Sequence, residues 1–278
     1  MEKPLRIAII TDIHYGPDRY SKKGDKAFIL LESFIRQVNS MAVDLVVDLG
    51  DRISNADLAN DRKHLAQVAS AFKSLTKECR HLTGNHDVVH LSIEENEKIL
   101  GTSLQHHSLD RKGRHLAFWN ASCELHEGEG FRLEQDDLDW LAADLAATDL
   151  PSVVFSHMPV DTGSMVGNYY FERRYAHGEQ HRNASLARDL IENSEKVIAV
   201  VSGHVHWNQL HFMDGIPHFS LQSLSETFTT HPHAAGSWAL LTLGDTVELE
   251  VFGRDPVMYR LPVKNPSHHW LPPMGESD

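Results

Sequence analysis

Thr83-Gly84-Asn85-His86-Asp87 follows the short lead-in Cys79-Arg80-His81-Leu82 and sets a glycine, a carboxamide, an imidazole and a carboxylate in consecutive positions. Taken alone, the stretch reads as a polar turn. Its meaning comes from four other short clusters that also stand directly after strand-like apolar runs: Asp12-Ile13-His14, Gly50-Asp51, Ser156-His157 and Gly203-His204-Val205-His206. Five such clusters in one chain supply the oxygen and imidazole ligands that a pair of metal ions needs.

The runs between the clusters give the fold class. Residues 5–10 and 43–49 are aliphatic and read as strands buried on both faces. Side chains alternate along a strand, so Asp12 and His14 are expected to point the same way. Residues 27–38 carry Phe28, Leu31, Phe34, Ile35 and Val38 at helical spacing, and 57–77 carry Leu58, Leu65, Val68, Phe72 and Leu75. Ser92 followed by Glu95 marks a capped helix start. Further strands are expected over 116–122, 152–155 and 196–201, with helices over 133–145 and 184–191. The acidic Asp136, Asp137 and Asp139 suit the positive N-terminal end of the first of these helices. This order of strand, polar turn and helix predicts a layered α/β fold with its site at the carboxyl ends of strands. Alternating residues over 216–224, 238–243 and 247–252 predict an antiparallel second half.

Composition narrows the function. With 278 residues, 41% hydrophobic and 23% charged, the chain is a soluble globular protein with room for a large core. Its net charge of −13 speaks against binding a long nucleic acid, although bound cations can reverse the sign locally. The two cysteines, Cys79 and Cys123, are too few for a disulfide framework or a thiolate metal site and are expected to be reduced. No run approaches the ~20 apolar residues of a membrane span, and no signal-peptide pattern opens the chain, so the expected compartment is the cytoplasm. Histidine is abundant, 20 in all, so a lone Asp-x-His pair carries little weight and only the full set argues for a site. Residues 1–264 are expected to form one domain, with 265–278 a loosely held tail. The polar and aromatic stretch 161–183 is too long for an ordinary connection and is expected to be a lid or specificity loop.

Cleaving a phosphate ester requires a nucleophile at neutral pH and neutralisation of the phosphoryl oxygens, and two closely spaced metal ions provide both. Asp12, His14, Asp51, Asn85, His157, His204 and His206 offer the ligands. Glycines before Asp51, Asn85 and His204 permit tight turns after the strands.

This ordered set, Asp12-x-His14, Gly50-Asp51, Gly84-Asn85-His86-Asp87, Ser156-His157 and Gly203-His204-x-His206, resembles the calcineurin-like metallophosphoesterase superfamily over residues 5–206. The resemblance implies a four-layer α/β/β/α sandwich, two mixed sheets flanked by helices, around a dinuclear centre. By matching position, Asp12, His14 and His206 would hold one metal, Asn85, His157 and His204 the other, and Asp51 would bridge. His86 would face the phosphate or the leaving-group oxygen, Asn85 would also touch substrate, and Asp87 would orient or charge His86.

Gly50-Asp51-Arg52-Ile53-Ser54-Asn55 departs from the G-D-x-V-D-R-G of the protein serine/threonine phosphatases. The compact motifs are more similar to the bacterial class III cyclic-nucleotide phosphodiesterase and glycerophosphodiesterase group. That resemblance implies hydrolysis of a small phosphodiester. Phosphomonoesters, or phosphonate and pyrophosphate esters, are the alternative on the same site, and related small phosphodiesterases often form homo-oligomers. Scaffold relatives that have abandoned catalysis lose ligands, whereas all are present here. Nitrogen and oxygen ligation suits iron, manganese, zinc or cobalt (Fe, Mn, Zn, Co). Arg52, Arg173 and Arg174 are the candidates for gripping the substrate phosphate, with Tyr169, Tyr170, His177 and His181 as further loop candidates.

Overall fold

A strand buried on both faces, Leu5–Ile10 (β1), is where the layers meet in the computed structural model, which describes residues 3–172 and 178–263. Its side chains alternate as the period of a strand requires. Leu5, Ile7 and Ile9 enter one apolar core, and Ala8 and Ile10 enter another. Beside it lie Leu45–Asp48 (β2) and Cys79–His81 (β3), both parallel, and Trp238–Leu243 (β12), antiparallel. Thr246–Phe252 (β13) and Val257–Pro262 (β14) complete a six-stranded sheet in the order β14-β13-β12-β1-β2-β3.

The second sheet also has six strands. It comprises His107–Arg111 (β4), Arg114–Phe118 (β5), Ser152–Phe155 (β8), Val197–Ser202 (β9), Gln209–Met213 (β10) and Ile216–Ser220 (β11), in the order β10-β11-β9-β8-β5-β4. A hairpin of Leu125–His126 (β6) and Gly130–Phe131 (β7) stands apart. The inner faces of the sheets pack Ile7, Ile9 and Val47 against Phe118, Val153, Phe155 and Val201. Helices Gly24–Ser40 (α1) and Leu58–Phe72 (α2) cover the first sheet through Leu31, Phe34, Val38, Val68 and Phe72. Gln135–Ala146 (α4) and Ala184–Asn193 (α5) cover the second through Leu141, Leu145, Ala187 and Ile191. The short helix Ile93–Leu100 (α3) begins at the Ser92–Glu95 capping box and ends on Gly101 in the left-handed conformation. The result is the four-layer α/β/β/α sandwich. No described helix is long and apolar enough to cross a membrane.

Two expectations change in detail, and the strand β4 was not expected. The strand expected over 116–122 is β5 and stops at Phe118, beyond which Trp119 buries its ring and donates Nε1–H to the Asp137 carbonyl, 2.8 Å away. Its edge partner β4, His-Ser-Leu-Asp-Arg, has no apolar alternation to announce it, because an edge strand only half-covered by its sheet tolerates polar residues. The second half is not wholly antiparallel, since β11 joins β9 in parallel. That pairing matters for the site: β1, β2, β3, β8, β9 and β11 all deliver the residues after their carboxyl ends to one edge of the sandwich. The tail 265–278 lies outside the described residues.

Candidate metal centre

The turns that leave these strands are strained. Asp12 (φ 51°), His14 (49°), Asp51 (56°), His204 (65°) and His206 (55°) all stand in the left-handed region. Each such residue costs about 1–3 kcal/mol and persists only where its surroundings over-determine it. Here the turns brace one another. The Asp12 amide donates to the Gly50 carbonyl (3.0 Å), the His14 amide to the Asp51 carbonyl (2.9 Å), and the Gly203 amide to the His157 carbonyl (2.9 Å). The glycines serve close approach as much as conformation. A Cβ on Gly84 would overlap the Asp51 carboxylate and amide, and one on Gly203 would overlap Thr11 Oγ1 and the Asp12 carboxylate. Only Gly50, at φ 105°, also needs the backbone freedom that the sequence suggests for all three.

Two groups of ligand atoms result. One atom from each of Asp12, His14, Asp51 and His206 falls within a 4.8 Å cluster, and Asp51, His157 and His204 form a second. In the first, His14 Nε2 lies 2.9 Å from His206 Nε2 and 3.6 Å from Asp51 Oδ2, and His206 Nε2 lies 3.1 Å from Asp12 Oδ1. In the second, His157 Nε2 lies 3.6 Å from Asp51 Oδ2 and 3.3 Å from Asn85 Oδ1. Asp51 Oδ2 therefore belongs to both.

Among the described residues, Asp12 Oδ1 is fully buried and completes no hydrogen bond. Carboxylate oxygens and imidazole nitrogens that converge in a buried place without donors of their own call for a cation. Oxygen and imidazole ligands around a shared carboxylate fit two.

The atoms turned away from the centre are engaged, which fixes the ones that face it. His157 Nδ1 pairs with the Leu49 carbonyl (2.9 Å), His206 Nδ1 with Glu226 Oε2 (2.9 Å) and His204 Nε2 with the Gly178 carbonyl (2.9 Å). Asp12 Oδ2 accepts from Thr11 Oγ1 (2.6 Å) and the His204 amide (3.0 Å), and Asp51 Oδ1 accepts from the His86 amide (2.7 Å). Under the protein's own charges, burial, with Asp12 and Asp87 nearby, lifts the Asp51 carboxyl to about 7 against the pull of His157. Burial would lower His206, yet Asp12 and Glu226 carry it to about 9. Burial, helped by His157, takes His204 down to about 3.

Three expectations are corrected. Arg52 does not grip substrate: it is 0% exposed, and its guanidinium is tied to Asp48 Oδ2 (2.8 Å), the Leu82 carbonyl (2.6 Å) and Asp87 Oδ2 (3.1 Å). Its place beside Asp51 in sequence suggested the cavity, but the left-handed turn at Asp51 sends it into the protein. Asp87 does not orient the His86 ring. It accepts from the backbone amides of Asp51 (2.9 Å), Arg52 (2.8 Å) and Gly84 (3.0 Å), and so shapes the turn on which Asn85 and His86 stand. The ring partner of His86 is Asn55, whose Oδ1 meets Nδ1. His181 is buried with Nε2 on the Ser122 carbonyl (2.7 Å). Arg173, Arg174 and His177 lie outside the described residues.

Above the ligands opens a cavity of about 330 Å³, with Asp51, Asn85, His86, His204 and His206 on its floor. Tyr20, Val89, Leu125, Phe131, Tyr170 and Phe171 supply apolar wall. Tyr169 instead lies against Phe228, ring centroids 5.6 Å apart. Lys22, Asn55 and Glu226 also line the cavity, and sequence reasoning missed all three. Asn55 and Glu226 sit in polar loop runs with no spacing to single them out. Lys22 reads as a solvated loop lysine until Ser21 and Lys23 are seen to be tied down.

The family model for calcineurin-like phosphoesterases matches residues 5–208. No curated protein matches the chain by sequence. Among solved structures, a dimetal phosphatase from Danio rerio is similar with a TM-score of 0.75 and 16% identity, over 95% of this chain and 100% of that one. The purple acid phosphatase PPD1 from yellow lupin (Lupinus luteus) seeds is similar at 0.59 and 15% identity, over 94% of this chain and 53% of that one. GAP50, the anchor in the inner membrane complex of Plasmodium, is similar at 0.61 and 11% identity, over 95% and 90%. At these identities the likeness is one of fold.

Proposed function

Since the chain belongs to the calcineurin-like phosphoesterases, we propose that it is a dinuclear metal-dependent hydrolase of a small phosphodiester. The observation that carries this reading is the sharing of Asp51 Oδ2 between the two ligand groups, which suits a carboxylate bridging two ions. Asp12, His14 and His206 would hold one ion, and Asn85, His157 and His204 the other. Bound there, the two ions, of iron, manganese, zinc or cobalt, supply Lewis-acid activation of water and neutralise phosphoryl charge.

The remaining work falls to the protein. His86 presents Nε2 to the cavity because Asn55 Oδ1 holds Nδ1. Burial, then Lys22 and His14, hold the ring below the ordinary imidazole range, so the proton that Nε2 gives to the departing alkoxide comes from its minor, protonated form. Asn85 and His86 stand side by side on one turn, so the phosphate they share is held at a fixed height above the ligands. The aromatic and aliphatic wall suits an organic substituent on each side of phosphorus, which a diester has and a monoester lacks. At about 330 Å³ the cavity is of a size for a small ligand, not a polymer. A phosphomonoester is the second reading, favoured by the cation of Lys22 at the cavity wall, which suits a dianion.

The test is a screen of metal-loaded protein against bis(4-nitrophenyl) phosphate, cyclic nucleotides, glycerophosphodiesters, nucleoside monophosphates and phosphonate monoesters. A diester among them is expected to show the highest kcat/KM, by tenfold or more over any monoester. The reverse order assigns a monoesterase.

A further inference from the structure

We propose that Lys22 is the side chain that takes a non-bridging oxygen of the substrate's phosphoryl group, as the protein's own cation facing the metal ligands. The assignment starts from the backbone. Arg19 and Lys22 close a tight turn by exchanging amide hydrogen bonds (3.1 and 2.9 Å), with Tyr20 between them at φ 52°. That turn is clamped to the segment carrying Glu226: the Lys23 amide donates to the Ser225 carbonyl (2.9 Å), and Thr227 Oγ1 to the Ser21 carbonyl (2.8 Å). Lys22 is thus held inward, 8% exposed, lining the same cavity as Asp51, His86 and Glu226.

Among the described residues its ammonium has no committed partner. Among the described residues no carboxylate oxygen lies within 4.0 Å of Nζ, and no side chain hydrogen-bonds to it. The nearby carboxylates are turned to other groups, with Asp12 Oδ1 and Asp51 Oδ2 directed at the ligand imidazoles. Glu226 takes His206 Nδ1 and the Thr227 amide, Asp12 takes Thr11 and the His204 amide, and Asp51 Oδ1 takes the His86 amide. Burying a cation without a partner is unfavourable, and setting it against a centre that gathers further cations is more so. A phosphoryl anion lying between them satisfies both sides, through a charge-assisted hydrogen bond. Arg19, exposed at the rim of the same cavity with its guanidinium 5.6 Å from the Tyr20 ring centroid, continues the positive edge outward.

This assignment rests on the phosphoesterase reading, and the experiment separates the two. Wild-type, Lys22→Met and Lys22→Arg proteins are loaded with metal, their ion content is measured by elemental analysis, and binding of inorganic phosphate is followed by calorimetry. Lys22→Met is expected to keep both ions and bind phosphate at least tenfold more weakly, and Lys22→Arg to recover most of the loss. Phosphate binding by Lys22→Met within twofold of wild type, with both ions in place, overturns the assignment. If Lys22→Met loses an ion or does not fold, the wild type decides. Phosphate should then protect the Lys22 amine from reductive methylation, read by peptide mass spectrometry, and labelling unchanged by phosphate overturns it. A wild type that binds phosphate through Lys22 yet cleaves no ester sinks the phosphoesterase reading and leaves this one standing.

Discussion

His206 and Glu226 are joined by a 2.9 Å hydrogen bond between Nδ1 and Oε2, and that bond turns the other nitrogen, Nε2, toward Asp12 Oδ1, 3.1 Å away. A carboxylate behind a ligating imidazole fixes its tautomer and raises its basicity. Glu226→Gln, which keeps the shape and removes the charge, is expected to weaken binding of one metal ion about 10- to 100-fold while leaving the other unchanged. Competitive titration with a chelator measures both sites. Equal weakening of the two, or of neither, contradicts the role given to Glu226.

His86 lines the cavity and lies against the ligand groups, its amide on Asp51 Oδ1 (2.7 Å) and its ring 4.7 Å from that of His14, yet it belongs to neither group, so its removal separates turnover from metal content. His86→Ala is expected to lower kcat about 10²- to 10⁴-fold with both ions retained. Elemental analysis of the variant checks this, and loss of one metal equivalent would argue that His86 is a ligand. Asn55→Ala, which frees the His86 ring, should reproduce part of the loss in kcat.

Arg52 belongs to the framework, and its substitution should tell on stability. Removing one member of a buried ion pair costs about 3–5 kcal/mol, because the partners are left charged and unpaired. Arg52→Met takes the shared cation from Asp48, which keeps His81 Nδ1 (2.8 Å), and from Asp87, which keeps its backbone amides, so a loss toward the lower end of that range is expected in denaturant unfolding. The KM of the fraction that folds should change less than twofold. A large rise in KM with unchanged stability would return Arg52 to the substrate.

His218, on β11 and outside the metal centre, gives a pH dependence with a definite sign. Burial, with Arg188 and His211 adding, lowers it from its ordinary 6.5 to about 3, and among the described residues neither ring nitrogen has a hydrogen-bond partner. Between those values the unfolded chain holds a proton that the folded chain refuses. Stability is therefore full above pH 6.5 and declines as pH falls toward 3. At 1.36 kcal/mol per unit, the loss by pH 5 is about 2 kcal/mol. His218→Phe should flatten this part of the stability curve. An unchanged slope between pH 6.5 and 5 counts against it.

What could be read from the sequence is what periodicity and strand ends carry. Alternation at Ile7, Ala8, Ile9 and Ile10 places β1 between two cores, and helical spacing at Leu31, Phe34 and Val38 gives α1 its buried face. Asp12, Asp51, Asn85, His157 and His204 follow strands whose carboxyl ends share one edge, so the ordered clusters converge in space. Residues whose place depends on turn geometry were not readable. Arg52 adjoins Asp51 yet points the opposite way, and Asp87 adjoins His86 yet serves the backbone amides of Asp51 and Gly84. Lys22 and Glu226 come from loops remote in sequence, brought together by the bonds of Ser21 and Lys23 to Thr227 and Ser225. No local pattern in a single chain signals contacts of that kind.

The most direct test of the dinuclear hydrolase is to measure metal content and hydrolysis of bis(4-nitrophenyl) phosphate on the same preparation, before chelation, after it, and after metal is restored. The account predicts two ions per chain in the active protein, activity that is lost with them, and recovery as the second equivalent is added back. Hydrolysis that survives chelation, or that is complete with one ion per chain, would contradict it.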